Sequence, residues 1–433
     1  MKSAKIRYLI LVVFWLLIPL TSLYSQNNQI DDFNKAKLLM MEGQYSRSAG
    51  LLQTLLNKDF TNSDILYYLG LNYQSLSNFQ MASKFFEQAL KLDTANVKLM
   101  TLLGNDYYSA GRTSDADSIL SKAFALDSSD TQVLLAMGKT YKKEQNWKEA
   151  KDIYNKLIGQ DSTNGFYYEQ LAYCNANLKD FNEAIINFQI SHQLNPLNQN
   201  IILDLSQIYF SKELFVSAMH IIDDGLAVYP YSTSFWTKKG DINLKMKNYS
   251  DAVDEYQKSI SFGDSSEINF RNMGIAYYWI EEYNSSITSL DQAVKIMDKD
   301  PSAYFYLGAS YKNLKKYDLA IKNLSLASDL QRNDFMAETL IQIAATYYEQ
   351  KNYSQALKFY QDALREKPDK KEIVFYLATA YYHYYKDKTV AIKYYNKFLA
   401  DTIDVDKQLI KYAKDRKETL IEENHFRKAE TPK

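Results

Sequence analysis

A chain of 433 residues is too long for one compact core, since single cores stop growing near about 250–300 residues, while 13 Gly and 6 Pro leave almost no flexible linker. That combination favours one elongated array, with 37 Tyr and 21 Phe spreading large rings along its length. Its 51 Lys and Arg against 52 Asp and Glu carry none of the cationic excess that displaces counterions from nucleic acid, and a lone cysteine with four His excludes an internal disulfide and argues against a thiolate metal site.

The first 25 residues read as an address. Lys2, Lys5 and Arg7 precede an apolar run from Tyr8 to Leu20, followed by Thr21, Ser22 and Ser25, the layout of a secretory signal peptide over residues 1–25. An apolar core of about 13 residues falls short of the roughly 20 needed to span a bilayer, and Pro19 breaks a helix near its end. Export to the periplasm or cell envelope is the expectation, with cleavage near Ser25. The alternative is an uncleaved anchor, which would be the chain's one membrane contact.

From there a period of 34 residues governs the sequence. Small residues recur at Gly70, Gly104, Gly138, Ala172, Ser206, Gly240, Gly274 and Gly308. Twelve residues on comes a second small residue, from Ala82 to Ala320, and four further a large apolar one, from Phe86 to Leu324. Ahead of Gly70 a worn copy holds Met40, Tyr45, Ala49 and Leu52. Beyond Gly308 the frame slips by two residues, resumes at Ala344 and Tyr347, continues as Ala378 and Tyr381, and gains one residue near Lys386 before Ala391, Tyr395 and Phe398. Offsets of three and four put the apolar residues on one helical face, and short polar turns such as Ser77-Asn78 separate two such faces. Each unit is thus an antiparallel helix pair whose small residues let the axes approach. Pro196, Pro230 and Pro368 fall just past second helices, and Pro301 opens a first turn. Residues 405–424 keep one apolar stripe, Leu409, Ala413 and Leu420, and read as a capping helix ahead of a polar end that frays from His425.

Leu66-x-x-Leu69-Gly70-x-x-Tyr73 with Ala82-x-x-x-Phe86 resembles the tetratricopeptide repeat (TPR) signature, as does Trp236-x-x-Lys239-Gly240 with Ala252-x-x-x-Tyr256. Asn175 and Asn243 depart from it, standing where an aromatic ring is usual. The resemblance implies an all-α, right-handed superhelical solenoid of about ten to eleven repeats over residues 29–400, closed by residues 401–433. It also implies that the first helices line a concave binding surface. Carried onto this chain, that surface comprises Tyr108, Lys139, Tyr173, Phe210, Arg271, Tyr278, Trp279, Phe305, Tyr348 and Tyr382, with Tyr67, Lys142, Glu169 and Phe375 beside them.

No catalytic set emerges. Gly138-Lys139-Thr140 lacks the upstream glycine of a phosphate loop, because Val133 stands there. His192, His220, His383 and His425 have no ligand-pair spacing, and Cys174 sits beside the crossing position Ala172 and reads as a core residue. The expectation is a non-catalytic scaffold without cofactor or metal that binds other proteins, as extended segments or envelope complexes. Recognition of envelope glycan through aromatic faces is the alternative. A clamp for a chaperone peptide's terminal carboxylate is not expected, since none of the fifth repeat positions, Tyr67 to Phe375, is lysine.

Overall fold

The computed structural model describes residues 30–58, 61–330 and 335–430, so the expected leader lies outside the described residues. Among those described, every regular element is helical: α1 (residues 30–41), α2 (Tyr45–Leu56), α3 (Ser63–Ser75), α4 (Phe79–Leu92), α5 (Val97–Ser109), α6 (Thr113–Leu126), α7 (Thr131–Lys143), α8 (Trp147–Gln160), α9 (Gly165–Asn177), α10 (Phe181–Leu194) and α11 (Gln199–Ser211). They continue as α12 (Phe215–Val228), α13 (Thr233–Met246), α14 (Tyr249–Ser261), α15 (Glu267–Trp279), α16 (Tyr283–Ile296), α17 (Pro301–Asn313), α18 (Tyr317–Leu330), α19 (Met336–Glu349), α20 (Tyr353–Glu366), α21 (Lys371–Tyr384), α22 (Thr389–Leu399) and α23 (Lys407–Glu430). The chain divides into two compact units, Met1–Ile208 and Tyr209–Lys433. Each is a stack of antiparallel helix hairpins, and α23 packs on α22 at the end of the second.

The crossing glycines hold because their partners leave no room for a side chain. A Cβ at Gly70 would stand 2.4 Å from the Phe86 ring, and one at Gly274 would stand 2.6 Å from Leu290 Cγ and 3.2 Å from its backbone nitrogen. Each hairpin therefore closes on a glycine or other small residue opposite a large one, and Phe86, Leu120, Tyr154 and Phe188 of the first unit lie fully buried there. The worn first repeat keeps this register at a different residue from the one expected. Ser48, not Ala49, takes the crossing position, and its hydroxyl donates to Ala36 O at 2.7 Å.

Turns within hairpins are set by one backbone device. Seven residues past each crossing position the chain enters the left-handed region, at Ser77, Gly111, Gln145 and Lys179 in the first unit and at Glu213, Lys247, Glu281, Lys315 and Lys351 in the second. The Asn78 amide then donates to Tyr73 O at 2.8 Å and the Ser77 amide to Gln74 O at 2.9 Å, which satisfies the last carbonyls of α3. Glycine serves at one of these nine turns; each of the others bears a left-handed L-residue at a cost of about 1 kcal/mol. Entry to the first helices is capped at the repeat period: Asn62, Asn96, Asp130 and Asn164 all accept backbone N–H groups.

The one-residue gain near Lys386 disrupts this device. Tyr385 is extended, with φ −97°, where a left-handed residue would otherwise stand. Lys388 compensates by donating its ammonium to Tyr382 O at 2.7 Å and Tyr385 O at 2.9 Å. The two-residue slip after Gly308 is taken up between Leu330 and the first turn of α19. Further on, α23 extends to Glu430, so the segment expected to fray from His425 is helical over most of its length.

Candidate partner-binding surface

The last turns of the first helices carry most of the sequence-derived surface residues, and a regular contact joins them. The residue four past a crossing position meets the residue two before the next one. In the first unit Lys142 donates to Gln170 Oε1, and its ammonium stands 5.1 Å from the Tyr173 ring centre. The same step in the second unit brings Lys238 to 4.6 Å from the Phe210 ring, Tyr278 to 5.2 Å from Tyr306, and Lys312 Nζ to 2.9 Å from Gln342 Oε1. Burial holds the Lys142, Lys238 and Lys312 ammonium groups below the ordinary lysine pKa. A second step in the first unit brings Lys143 to 4.4 Å from the Tyr108 ring, where it also bonds the Tyr108 carbonyl at 2.9 Å.

Beside Lys142 lies an acidic counterpart. The Tyr173 hydroxyl donates to Asp204 Oδ2, and burial raises both the Glu169 and Asp204 carboxyls. Lys139 is exposed. Thus Tyr108, Lys142 and Tyr173 hold neighbouring repeats together while leaving part of each side chain in solvent.

The second unit gathers aromatic rings. Tyr278 touches Trp279, Tyr283 and Tyr306 at centroid distances of 5.4, 5.9 and 5.2 Å. Trp279 stacks on Tyr249 at 5.7 Å with planes 12° apart, and it remains 50% exposed. Phe305, by contrast, is buried, 4.7 Å from Phe335. Arg271 is committed elsewhere: its Nη1 bonds Glu267 Oε1 at 3.2 Å and Asp300 Oδ2 at 3.1 Å, and both carboxylates are buried. Asp300 also caps α17 through the Ser302 and Ala303 amides. Burial raises Glu267, which shares a hydrogen bond with Asp300; burial would raise Asp300 too, but Glu267 and Arg271 outweigh it and hold that carboxyl below its ordinary value.

At the far end, Tyr348 meets His383 at 5.6 Å, and burial pushes the Tyr348 hydroxyl to about 12. Tyr382 lies 4.7 Å from His383. Here α23 reaches the surface: Tyr412 packs edge-on to the buried Phe375 at 5.7 Å, and the Arg416 guanidinium stands 4.2 Å from the Tyr382 ring centre. The sequence list therefore divides into open rings (Trp279), half-buried interlocks (Tyr108, Tyr173, Phe210, Tyr278, Tyr348, Tyr382), a committed ion pair (Arg271) and a buried residue (Phe305).

Several residues of this surface escaped sequence reasoning, namely Gln170, Lys238, Tyr306, Lys143 and Arg416. The first three stand 28 residues after Lys142, Phe210 and Tyr278, so that spacing was the available signal. Another missed group is Asp106, fully buried in α5, whose Oδ1 accepts from Gln74 Nε2 at 2.8 Å while Oδ2 has no partner. Burial pushes its pKa up to about 7, against a partial pull downward from Gln74. Cys174 is buried, and burial raises its thiol to about 11, so it stays protonated. Among the described residues no group of three or more His, Cys, Asp or Glu is placed to hold a metal ion.

Models of the tetratricopeptide repeat match residues 63–96, 132–163, 300–365 and 341–404. The chain is a tetratricopeptide-repeat protein. Among its relatives, a tetratricopeptide repeat-containing protein of Methanocaldococcus jannaschii is 25% identical over 164 residues, covering 38% of this chain and 28% of that one. Anaphase-promoting complex subunit 3 of Schizosaccharomyces pombe is 22% identical over 200 residues, or 46% of this chain and 30% of that one. The match thus spans less than a third of either relative. The solved C-terminal part of a tetratricopeptide-repeat protein from Cytophaga hutchinsonii has a TM-score of 0.46 and 17% identity, and covers 55% of this chain and 98% of that one.

Two tetratricopeptide positions depart from the signature, and one of them, Asn243, meets a polar partner. Where the usual ring is present, Tyr73 stacks on Phe85 and Tyr347 on Phe359 at 5.5 and 5.6 Å. Where it is Asn243, the residue fifteen past the crossing glycine is Glu255, and Asn243 Nδ2 donates to Glu255 Oε2 at 2.7 Å inside the hairpin. Asn187 stands at the same place after Ala172, but its Nδ2 donates to Glu183 O at 2.7 Å and Asn175 Oδ1 is buried without a partner. The Asn243 hairpin therefore puts a polar contact in place of the stack, and the Asn175 hairpin does not.

Proposed function

We propose that this protein is a non-catalytic scaffold of the cell envelope, which binds extended segments of other proteins along the faces formed by its first helices. The observation that carries the reading is Trp279, a large ring half in solvent, backed by Tyr249 and set among Tyr278 and Tyr306. Rigid aromatic side chains give large contact area at low entropic cost and anchor protein interfaces. One repeat on from Tyr278, the half-buried Lys312 adds a cation for a polar peptide backbone or an acidic side chain. Held side by side on one chain, partners meet at raised local concentration with no bond made or broken. The envelope location is supported by the charge and hydropathy order of residues 1–25.

Photo-crosslinking tests this in intact cells, with a benzophenone amino acid at position 279 and a control at Val216, whose side chain is open to solvent. Specific proteins captured from 279 and not from 216 support the scaffold; equal captures from both refute the placement. Retention of the purified chain on insoluble wall material, with no protein captured, would favour glycan recognition instead. Fractionation with N-terminal sequencing checks export.

A further inference from the structure

We propose that Arg416, Lys388 and His383 form an oxyanion site at the C-terminal end of the second unit, on a platform made by Tyr382. Three elements converge there. His383 comes from the last turn of α21, Lys388 from the segment that enters α22, and Arg416 from the middle of α23. One ring carries two cations, with the Arg416 guanidinium 4.2 Å and the Lys388 ammonium 4.4 Å from the Tyr382 centroid. The same ring lies 4.7 Å from the imidazole of His383, whose other neighbours are Tyr353, stacked at 5.0 Å, and Tyr348 at 5.6 Å.

The arrangement is incomplete as it stands. Arg416 Nε is buried and has no hydrogen-bond partner, and a buried donor left unsatisfied loses the hydration it had in water without replacement. Among the described residues Arg416 has no carboxylate within ion-pair distance, although the chain carries slightly more acids than bases. Lys388 is anchored by two carbonyls, so its charge is fixed in place by the turn it repairs. The positive field is felt by His383, held below its ordinary value by burial and then by Arg416 and Lys388. Groups facing it from α19, α20 and α21 are the phenols of Tyr348, Tyr353 and Tyr382, and no carboxylate is among these ring neighbours. An oxyanion would accept from the guanidinium fork and lie against the ammonium, the charge-assisted geometry that binds carboxylate and phosphate most strongly. It would also stabilise imidazolium.

This assignment deepens the groove reading by naming what its far end holds. The test reads the anion site alone, so its failure would leave binding at Trp279 untouched. The probe is inorganic phosphate, titrated into the full chain at constant ionic strength set by chloride, with the Cε1–H resonance of His383 followed from pH 5 to 8. Phosphate is expected to raise the apparent His383 pKa saturably. Arg416→Gln should reduce that shift at least fivefold and Arg416→Lys should retain part of it. A peptide with a free C-terminal carboxylate, its amidated twin and a phosphoserine peptide then distinguish a carboxylate from a phosphate source. The proposal falls if neither phosphate nor either anionic peptide moves His383, or if Arg416→Gln with an unchanged circular dichroism spectrum shifts as the wild type does. Should Arg416→Gln fail to fold, the wild-type titration against chloride alone decides.

Discussion

Asp106→Asn should stabilise the first unit, and should do so more as pH rises. The carboxyl titrates at about 7 in the folded chain against 3.8 as its ordinary value, so the folded state binds the proton more tightly than the unfolded one. Stability then falls as pH rises from about 4 to about 7 and levels off above that; the full linkage is about 4 kcal/mol, at about 1.4 kcal/mol per pH unit. Water entry and side-chain relaxation reduce it, and about 1–3 kcal/mol is the expected loss at pH 8.5. Asparagine keeps an acceptor for Gln74 and removes the charge. Urea unfolding of wild type and variant by far-ultraviolet circular dichroism at pH 5, 7 and 8.5 gives the variant-minus-wild-type difference, from which other titrating groups cancel. That difference should grow by about 1–2 kcal/mol between pH 5 and 8.5. A flat difference, or a variant less stable at pH 8.5, would refute the claim that Asp106 ionises inside a repeat junction.

Two further substitutions test packing and charge. Gly274→Leu places a side chain where Leu290 already stands 2.6 Å from the Cβ position, with backbone at 3.2 Å, and should cost about 1–3 kcal/mol in urea; an unchanged midpoint would mean that the crossing can open. Arg271→Met strands the buried Glu267 and Asp300 carboxyls and should cost about 2–4 kcal/mol at pH 7. The loss should shrink near pH 4 as they take up protons, and a pH-independent loss would assign the effect to packing.

The helix pairs were legible because a helical crossing imposes a steric demand at one fixed residue. Gly70 against Phe86 leaves no choice of register, and 34-residue recurrence makes that demand visible many times. The worn first repeat misled by one residue because Ser48 and Ala49 are both small, and only the hydrogen bond to Ala36 O tells them apart. Surface residues were half legible. Their helical position follows from the register, but whether a ring stays open depends on what the next repeat places 28 residues later. Trp279 and Phe305 lie on comparable first helices, yet Phe335, at the start of α19, packs on Phe305 while half of Trp279 stays in solvent. Arg416 was illegible, since it comes from a helix outside the repeat and meets Tyr382 at a place that no repeat register predicts.

The interlocks also constrain how this surface can be read by mutation. Lys142 bonds Gln170, Lys312 bonds Gln342, and Tyr278 packs on Tyr306, so each of these residues of the proposed surface also fastens one repeat to the next. In a stack where stability is a sum of repeat and nearest-neighbour interface terms, removing one of these side chains weakens an interface before it removes a ligand contact. Binding losses at Lys142, Tyr278 or Lys312 would therefore mix two causes. Trp279 differs in degree: it too stacks on a ring of the preceding repeat, Tyr249, but half of the indole faces water. It is the position at which loss of binding without loss of helix content would isolate recognition from architecture. The converse also holds: an extended segment seated across Tyr278 and Lys312 would add contacts to the same interfaces, so occupancy should raise the unfolding midpoint of the second unit.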